Sequence, residues 1–255
     1  LALLIPRMTS LRWVQSTWAG VAPLVALDRH DYVLTGLKDV FGPSMAEYVL
    51  GWSLALHRSI LKHAQATRWH WKPEAGLSSL RLGIAGTGSI GRVVAERCAP
   101  FFESVVGLNS SGFHSAPFAR CFSTAERLEF ASKVDVLAMM LPDTPATDRL
   151  VDRELLDALN TGALVINAGR ANSLDLDAVQ EALAKGSLAA AVIDVFEEEP
   201  VPEDSPLWKV PKLYLTSHTA APTPLETIAN VFLSNLRRFE LGEELTGIID
   251  FHRGY

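Results

Sequence analysis

The chain has 255 residues, 48% of them hydrophobic and 20% charged, with 17 Gly and 14 Pro. That composition excludes a disordered or fibrous chain, and at ~150 residues per domain the length allows one large domain or two modest ones. Twenty-three Lys plus Arg against 29 Asp plus Glu give a net charge of −6, and without a dense basic cluster nucleic acid is not an expected partner. Cys98 and Cys121 have no CxxC or Cys/His spacing, so neither a disulfide framework nor a metal site is expected, and a reducing, cytoplasmic compartment is. No apolar run approaches the ~18 to 20 residues of a membrane span, so no membrane partner is expected. Leu1 to Ile5 is too short for a signal segment and runs into Pro6 and Arg7.

In chain order, Leu11 to Ser16 reads as a strand, followed by a turn at Gly20, a short apolar segment and a second strand-like piece, Tyr32 to Thr35. Met45, Val49, Trp52, Leu56 and Ile60 then recur at the spacing of one buried helix face, after start signals at Pro43 and Ser44. A polar, Trp-containing link, Arg68 to Ser79, is the candidate domain boundary. Beyond it short apolar runs alternate with helical segments. Strands are predicted at Leu82 to Ala85, Ser104 to Leu108, Val134 to Met140, Ala163 to Asn167, Ala189 to Val195 and Leu213 to Ser217. Helices are predicted at Ile90 to Ala99, Arg153 to Leu159 and Leu176 to Ala184, with a last one at about Pro224 to Leu241. The alternation predicts an α/β fold with a parallel sheet covered on both faces.

Gly86-Thr87-Gly88-Ser89-Ile90-Gly91 follows a predicted strand and opens a predicted helix. In that setting the first Gly allows a tight turn, the second lets a pyrophosphate approach the backbone, and the third lets helix and strand pack closely. Free N–H groups and the positive end of the helix dipole hold the phosphates. An NAD site usually carries Asp or Glu about 20 residues past the glycines, but here the next strand ends in Asn109-Ser110-Ser111. No carboxylate repels a 2′-phosphate there, so the expected cofactor is NADPH, with NADH possible. Arg92 and Arg120 could add charge, although a solvated surface role suits each.

Arg170, Glu199 and His218 stand at or just past the ends of later predicted strands, where open α/β sheets bind ligands. Each alone has an ordinary explanation: a surface cation, part of a solvated acidic run, a capped core histidine. Together with the glycine loop, the stretches Asn167 to Arg170, Asp194 to Pro200 and His218 to Thr223 resemble the D-isomer-specific 2-hydroxyacid dehydrogenase family. Within it they resemble the glyoxylate/hydroxypyruvate reductase A branch, down to the terminal Ile249 to Tyr255.

The resemblance implies two Rossmann-like domains with parallel sheets, the cofactor domain inserted into the substrate domain. Residues 79–224 would bind the dinucleotide, and residues 1–78 plus 225–255 would form a substrate domain whose first βα units are absent. It implies that Arg170 anchors the substrate carboxylate and carbonyl oxygen. His218 would give the proton in the reduction of a small 2-oxo acid such as glyoxylate or hydroxypyruvate. Glu199 would bond the other imidazole nitrogen, favouring the protonated ring and fixing its orientation. Asp194 would sit near the nicotinamide carboxamide, Leu141, Pro142 and Ala168 would line the cofactor site, and the turn Ala19-Gly20-Val21 would meet the substrate carboxylate. Trp18, beside that turn, either narrows the pocket or is a core aromatic. The helix with Trp52 would also serve a homodimer interface.

Three positions depart from the family pattern: Ala171 where Gly is usual, Ser217 where Pro is common before the histidine, and Ala22 where Asp is common. Glu199 argues against the formate dehydrogenases, which resemble this fold but have Gln there. A phosphoglycerate-type dehydrogenase and a cofactor-sensing binding protein of the kind seen in transcriptional corepressors remain the alternatives.

Overall fold

The structure is a computed structural model that describes residues 1–18, 20–69, 71, 76–223, 225–252 and 254. Its body is a seven-stranded, wholly parallel sheet. A small parallel pair precedes it: β1 (Trp13–Gln15) and β2 (Val33–Thr35), with the short helix α1 (Ala22–Val25) between them. The large sheet comprises β3 (Arg81–Ala85), β4 (Ser104–Asn109), β5 (Arg120–Ser123), β6 (Val136–Met139), β7 (Ala163–Asn167), β8 (Leu188–Ile193) and β9 (Leu213–Leu215). Their order is β5-β4-β3-β6-β7-β8-β9. Chain direction across the sheet therefore reverses between β3 and β6, and a crevice opens at their carboxyl ends. β6 and β7 are buried at every residue, as apolar runs covered on both faces must be.

Two apolar layers cover the sheet. One holds α5 (Arg127–Ala131), α6 (Arg153–Ala158) and α7 (Leu176–Lys185), packed through Phe130, Leu155, Val179 and Leu183. Asp152 and Asp175 cap α6 and α7 by accepting the N–H groups of Leu155 and Ala178, and Gly186, at φ +78°, ends α7. The other layer holds α2 (Gly42–His57) and α4 (Ser89–Cys98). There Ala46 and Val49 meet Val94, Ala95, Leu82 and Ile84. A Cβ on Gly42 would lie 2.5 Å from Val93 Cβ, which shows how closely α2 seats on α4.

The continuous helix expected from Met45 to Ile60 is broken. Ser59 takes φ +49° and a short α3 (Ile60–Ala64) follows. β5 and α5 had no sequence reading, although Ser123-Thr124-Ala125-Glu126 forms a full capping box before α5. Of the polar link, His70 and residues 72–75 lie outside the described residues.

A third apolar cluster joins Ile5, Val14, Leu24, Tyr32 and Leu34 to Ile249 and Phe251 near the end of the chain. The final helix α8 (Leu225–Leu241) stacks Phe232 and Phe239 on Trp13. Its fully buried Asn235 donates to Gln15 Oε1 and the Thr246 carbonyl while accepting from the Thr246 N–H. Ile5, Val14, Leu24, Tyr32 and Leu34 thus share one small core with Ile249 and Phe251, and α8 packs on Trp13 beside it. Pro224, Arg253 and Tyr255 lie outside the described residues.

Candidate active site

The glycine loop has the geometry a dinucleotide needs. Gly86 takes φ +100°, and a Cβ there would lie 2.6 Å from the Met140 carbonyl oxygen. A Cβ on Gly91 would overlap the Gly86 carbonyl oxygen, so α4 packs against the loop only because that residue is glycine. Above Gly88, by contrast, nothing stands within 4 Å. This open, backbone-lined space at the first turn of α4 is where a pyrophosphate fits. Thr87, Ser89 and Ile90 complete the turn, and the backbone of Met140 and Leu141 abuts it, Leu141 N 3.3 Å from the Cβ position of Gly86. Gly169 packs on the same segment, its Cβ position 2.7 Å from Leu141 N.

At the end of β4, Asn109 is occupied within the protein. Its Nδ2 donates to Thr87 Oγ1 and the Phe113 carbonyl, and its Oδ1 accepts the N–H groups of Ser111 and Gly112. Asn109 thus shapes the turn, and the exposed Ser110 and Ser111 form the tip. Arg120 pairs with Val106 at the start of β5, the far end of the strands, and binds Glu126 and Glu129. Arg92 is exposed on the first turn of α4.

Arg170, Glu199 and His218 converge as the sequence suggested. His218 Nδ1 lies 2.8 Å from Glu199 Oε2, and the second Glu199 oxygen accepts the Phe196 N–H. Burial pushes the Glu199 carboxyl up. The bonds from His218 and Phe196, with the charges of His218 and Arg170, outweigh that and hold it below its ordinary value. The Arg170 guanidinium is pulled down by burial, countered by the charges of Asp143 and Glu199. Its Nη1 donates to the Gly169 carbonyl, and a Cβ on Gly20 would lie 2.5 Å from its Nη2. Gly20 is therefore glycine where the small sheet's loop meets the large sheet's arginine. Ala19 lies outside the described residues, and Val21 is buried at the start of α1.

Asn167 locks the arginine turn, donating to the Arg170 carbonyl and accepting the Gly169 N–H. Ala171 does not take a positive φ, so the missing glycine costs nothing here. Trp18 is 72% exposed and is not a core aromatic.

Asp194, expected near the nicotinamide carboxamide, already has partners within the protein. It is buried, and its carboxylate accepts Thr216 Oγ1 together with the N–H groups of Thr219 and Ala220. Three donors on two oxygens make it the clamp of the His218 turn. Thr216 and Asp143 had no sequence signal, because Thr216 acts through a residue more than twenty positions away and Asp143 through charge alone. Among the described residues no cluster of His, Cys, Asp or Glu could hold a metal ion, and no helix is long and apolar enough to cross a membrane.

A parallel sheet of this order, with the glycine loop at its reversal point, defines a dinucleotide-binding domain. The family model for the D-isomer specific 2-hydroxyacid dehydrogenase NAD-binding domain matches residues 50–220. A glyoxylate/hydroxypyruvate reductase A of Escherichia fergusonii is 32% identical over 259 residues, covering 96% of this chain and 82% of that protein. A family member of known structure from Aeromonas salmonicida is 37% identical with a TM-score of 0.90, over 98% of this chain and 82% of its own. An NADPH-dependent glyoxylate/hydroxypyruvate reductase from Sinorhizobium meliloti, solved with NADP and sulfate, superposes with a TM-score of 0.91 at 28% identity, over 100% and 84% of the two chains. The chain belongs to the D-isomer-specific 2-hydroxyacid dehydrogenase family and is an NAD(P)-dependent oxidoreductase.

Proposed function

We propose that the protein reduces small 2-oxo acids, glyoxylate and hydroxypyruvate among them, with NADPH preferred over NADH. The observation that carries the reading is the His218–Glu199 pair at 2.8 Å beside the half-buried Arg170, all at the carboxyl ends of the strands. The reductases from Escherichia fergusonii and Sinorhizobium meliloti support it, the latter by its NADP complex. NADPH, when bound, supplies the hydride.

The chain's own groups do the rest. With Nδ1 engaged by Glu199, Nε2 of His218 is the nitrogen left to give a proton to the oxygen that becomes the alcohol. Arg170 holds the substrate carboxylate through its forked donors and stabilises charge building on that oxygen. The backbone of Gly20 and Val21 completes the carboxylate site. Glu199 orients the ring and balances the charge it carries once protonated. The exposed Ser110 and Ser111 donate their hydroxyls to a 2′-phosphate. Residues 79–224 serve the cofactor, and residues 1–78 with 225–255 serve the substrate, in a homodimer.

A steady-state panel of glyoxylate, hydroxypyruvate and 3-phosphohydroxypyruvate against NADPH and NADH tests the reading. Turnover of the first two with a higher kcat/KM for NADPH is expected. Preference for the phosphorylated acid would indicate the phosphoglycerate type, and tight NADPH binding with no turnover a cofactor sensor.

A further inference from the structure

The turn that carries His218 is tied to a helix remote in sequence. Tyr48, on α2, places its hydroxyl 2.6 Å from Thr216 Oγ1, and Thr216 Oγ1 donates to Asp194 Oδ1 at 2.5 Å. A threonine hydroxyl has one hydrogen. Because it goes to the carboxylate, the Tyr48 O–H must donate to Thr216, and the chain runs in one direction, Tyr48 to Thr216 to Asp194. Burial raises the Tyr48 phenol far above its ordinary value, so the donor keeps its proton throughout the working pH range.

Asp194 gathers the turn at four points. Its carboxylate takes Thr216 together with the N–H groups of Thr219 and Ala220, each 2.9 Å away, and its backbone carbonyl takes the His218 N–H at 2.9 Å. His218 itself takes φ +54°, a conformation a non-glycine residue adopts only when its surroundings impose it. Thr216 before the histidine and Thr219 and Ala220 after it are thus pinned to one buried carboxylate, and that carboxylate is oriented from α2. A second contact runs in parallel: Trp52, one turn along α2 from Tyr48, lies 5.3 Å from the ring of Tyr214 on β9.

We infer that Tyr48 and Thr216 are positioning residues for proton transfer: their relay to Asp194 fixes the turn on which His218 is presented to the substrate oxygen. The inference rests on the reading of His218 as the proton donor, and it predicts an effect on turnover rather than on cofactor binding. A small displacement of a reacting group costs up to roughly a hundredfold in rate, whereas the glycine loop that holds the cofactor lies on another strand.

The test measures kcat for glyoxylate at saturating NADPH, and the Kd of NADPH by nucleotide fluorescence, for the full chain and for Y48F, T216V, T216S and H218Q. T216V is expected to lower kcat roughly tenfold to a hundredfold, and Y48F, which leaves every Asp194 donor in place, roughly fivefold, the worth of one hydrogen bond. NADPH affinity should stay within about twofold of the parent in both, and T216S should recover kcat to within about twofold, since it keeps the hydroxyl. Wild-type kcat in both Y48F and T216V, with H218Q inactive, would overturn the relay and leave the proton donor standing. Loss of NADPH affinity in step with kcat would overturn it in favour of a general packing role. A parent that does not turn over, or an H218Q variant as fast as its parent, would instead defeat the reading on which the inference rests.

Discussion

Gly88 and Gly91 lie one helical turn apart in the same loop, and replacing each with alanine should give opposite results. At Gly91 the new Cβ would overlap the Gly86 carbonyl oxygen, a backbone atom that cannot rotate away, with Ile84 Cγ2 3.3 Å off on the other side. Helix α4 must then lift from the loop. Overpacking of this kind costs about 1–3 kcal/mol, and in a chain of this size each kcal/mol lowers Tm by about 2–4 °C. A fall of roughly 6–12 °C follows for a penalty near 3 kcal/mol.

At Gly88 the backbone has φ −70°, acceptable to any residue, and no atom stands within 4 Å of the Cβ position. Gly88→Ala should cost only about 1 kcal/mol or less, the preference for Gly over Ala at a helix N-cap. Yet its methyl occupies the space through which a pyrophosphate must reach the N–H groups of α4. Each charge-assisted hydrogen bond lost there is worth about 1.5–3 kcal/mol, so NADPH affinity should fall tenfold or more. Thermal scans together with NADPH fluorescence titration measure both quantities. A Gly88→Ala variant that binds NADPH like its parent, or a Gly91→Ala variant with an unchanged Tm, would refute the assignment of the loop.

Ser110→Asp puts a carboxylate at the exposed tip after β4. It should raise the KM for NADPH tenfold or more while leaving that for NADH nearly unchanged, by repulsion of the 2′-phosphate; initial-rate measurements with both cofactors check this. Glu199→Gln should have a pH-dependent effect on stability. The folded carboxyl is held below its ordinary value, so its contribution is present above about pH 4.3 and disappears as the pH falls through the folded value. The pair is about half-exposed, 48% for His218 and 36% for Glu199, so the gap should be under about 1 kcal/mol. Tm profiles of parent and variant from pH 7 to pH 2 should converge at the acid end. Asn235→Ala removes the fully buried amide that satisfies Gln15 and Thr246. It should cost about 2–4 kcal/mol through unpaired polar groups, read by denaturant unfolding, without weakening NADPH binding.

How far the sequence could be read depended on how local each constraint is. The glycine loop was legible residue by residue, because turn, approach and packing are all imposed within six positions. The central strands were legible as apolar runs bounded by turns, and β7 falls where it was expected, Ala163–Asn167. β5 was not, being four residues at the sheet edge that begin with the exposed Arg120. The break at Ser59 was hidden because an apolar period of three to four continues through Ile60. Arg170, Glu199 and His218 were found as strand-end residues that match a family pattern.

The partners of Asp194 were out of reach for a different reason. Tyr48 and Thr216 are 168 positions apart, and neither residue type signals a hydrogen bond across that distance. The role of Asn109 was hidden for the same reason. Its amide is turned inward to Thr87 and Phe113, a choice made by tertiary contacts rather than by the strand-end pattern.

The central claim is that His218, oriented by Glu199, delivers the proton while Arg170 holds the acid. Single-turnover reduction of glyoxylate by bound NADPH in His218→Gln, beside the parent chain, tests it most directly. The rate should be lower by roughly a hundredfold to ten-thousandfold, the usual worth of a general acid, with NADPH still bound at parental affinity. A His218→Gln variant that reduces glyoxylate at the parental rate would contradict it.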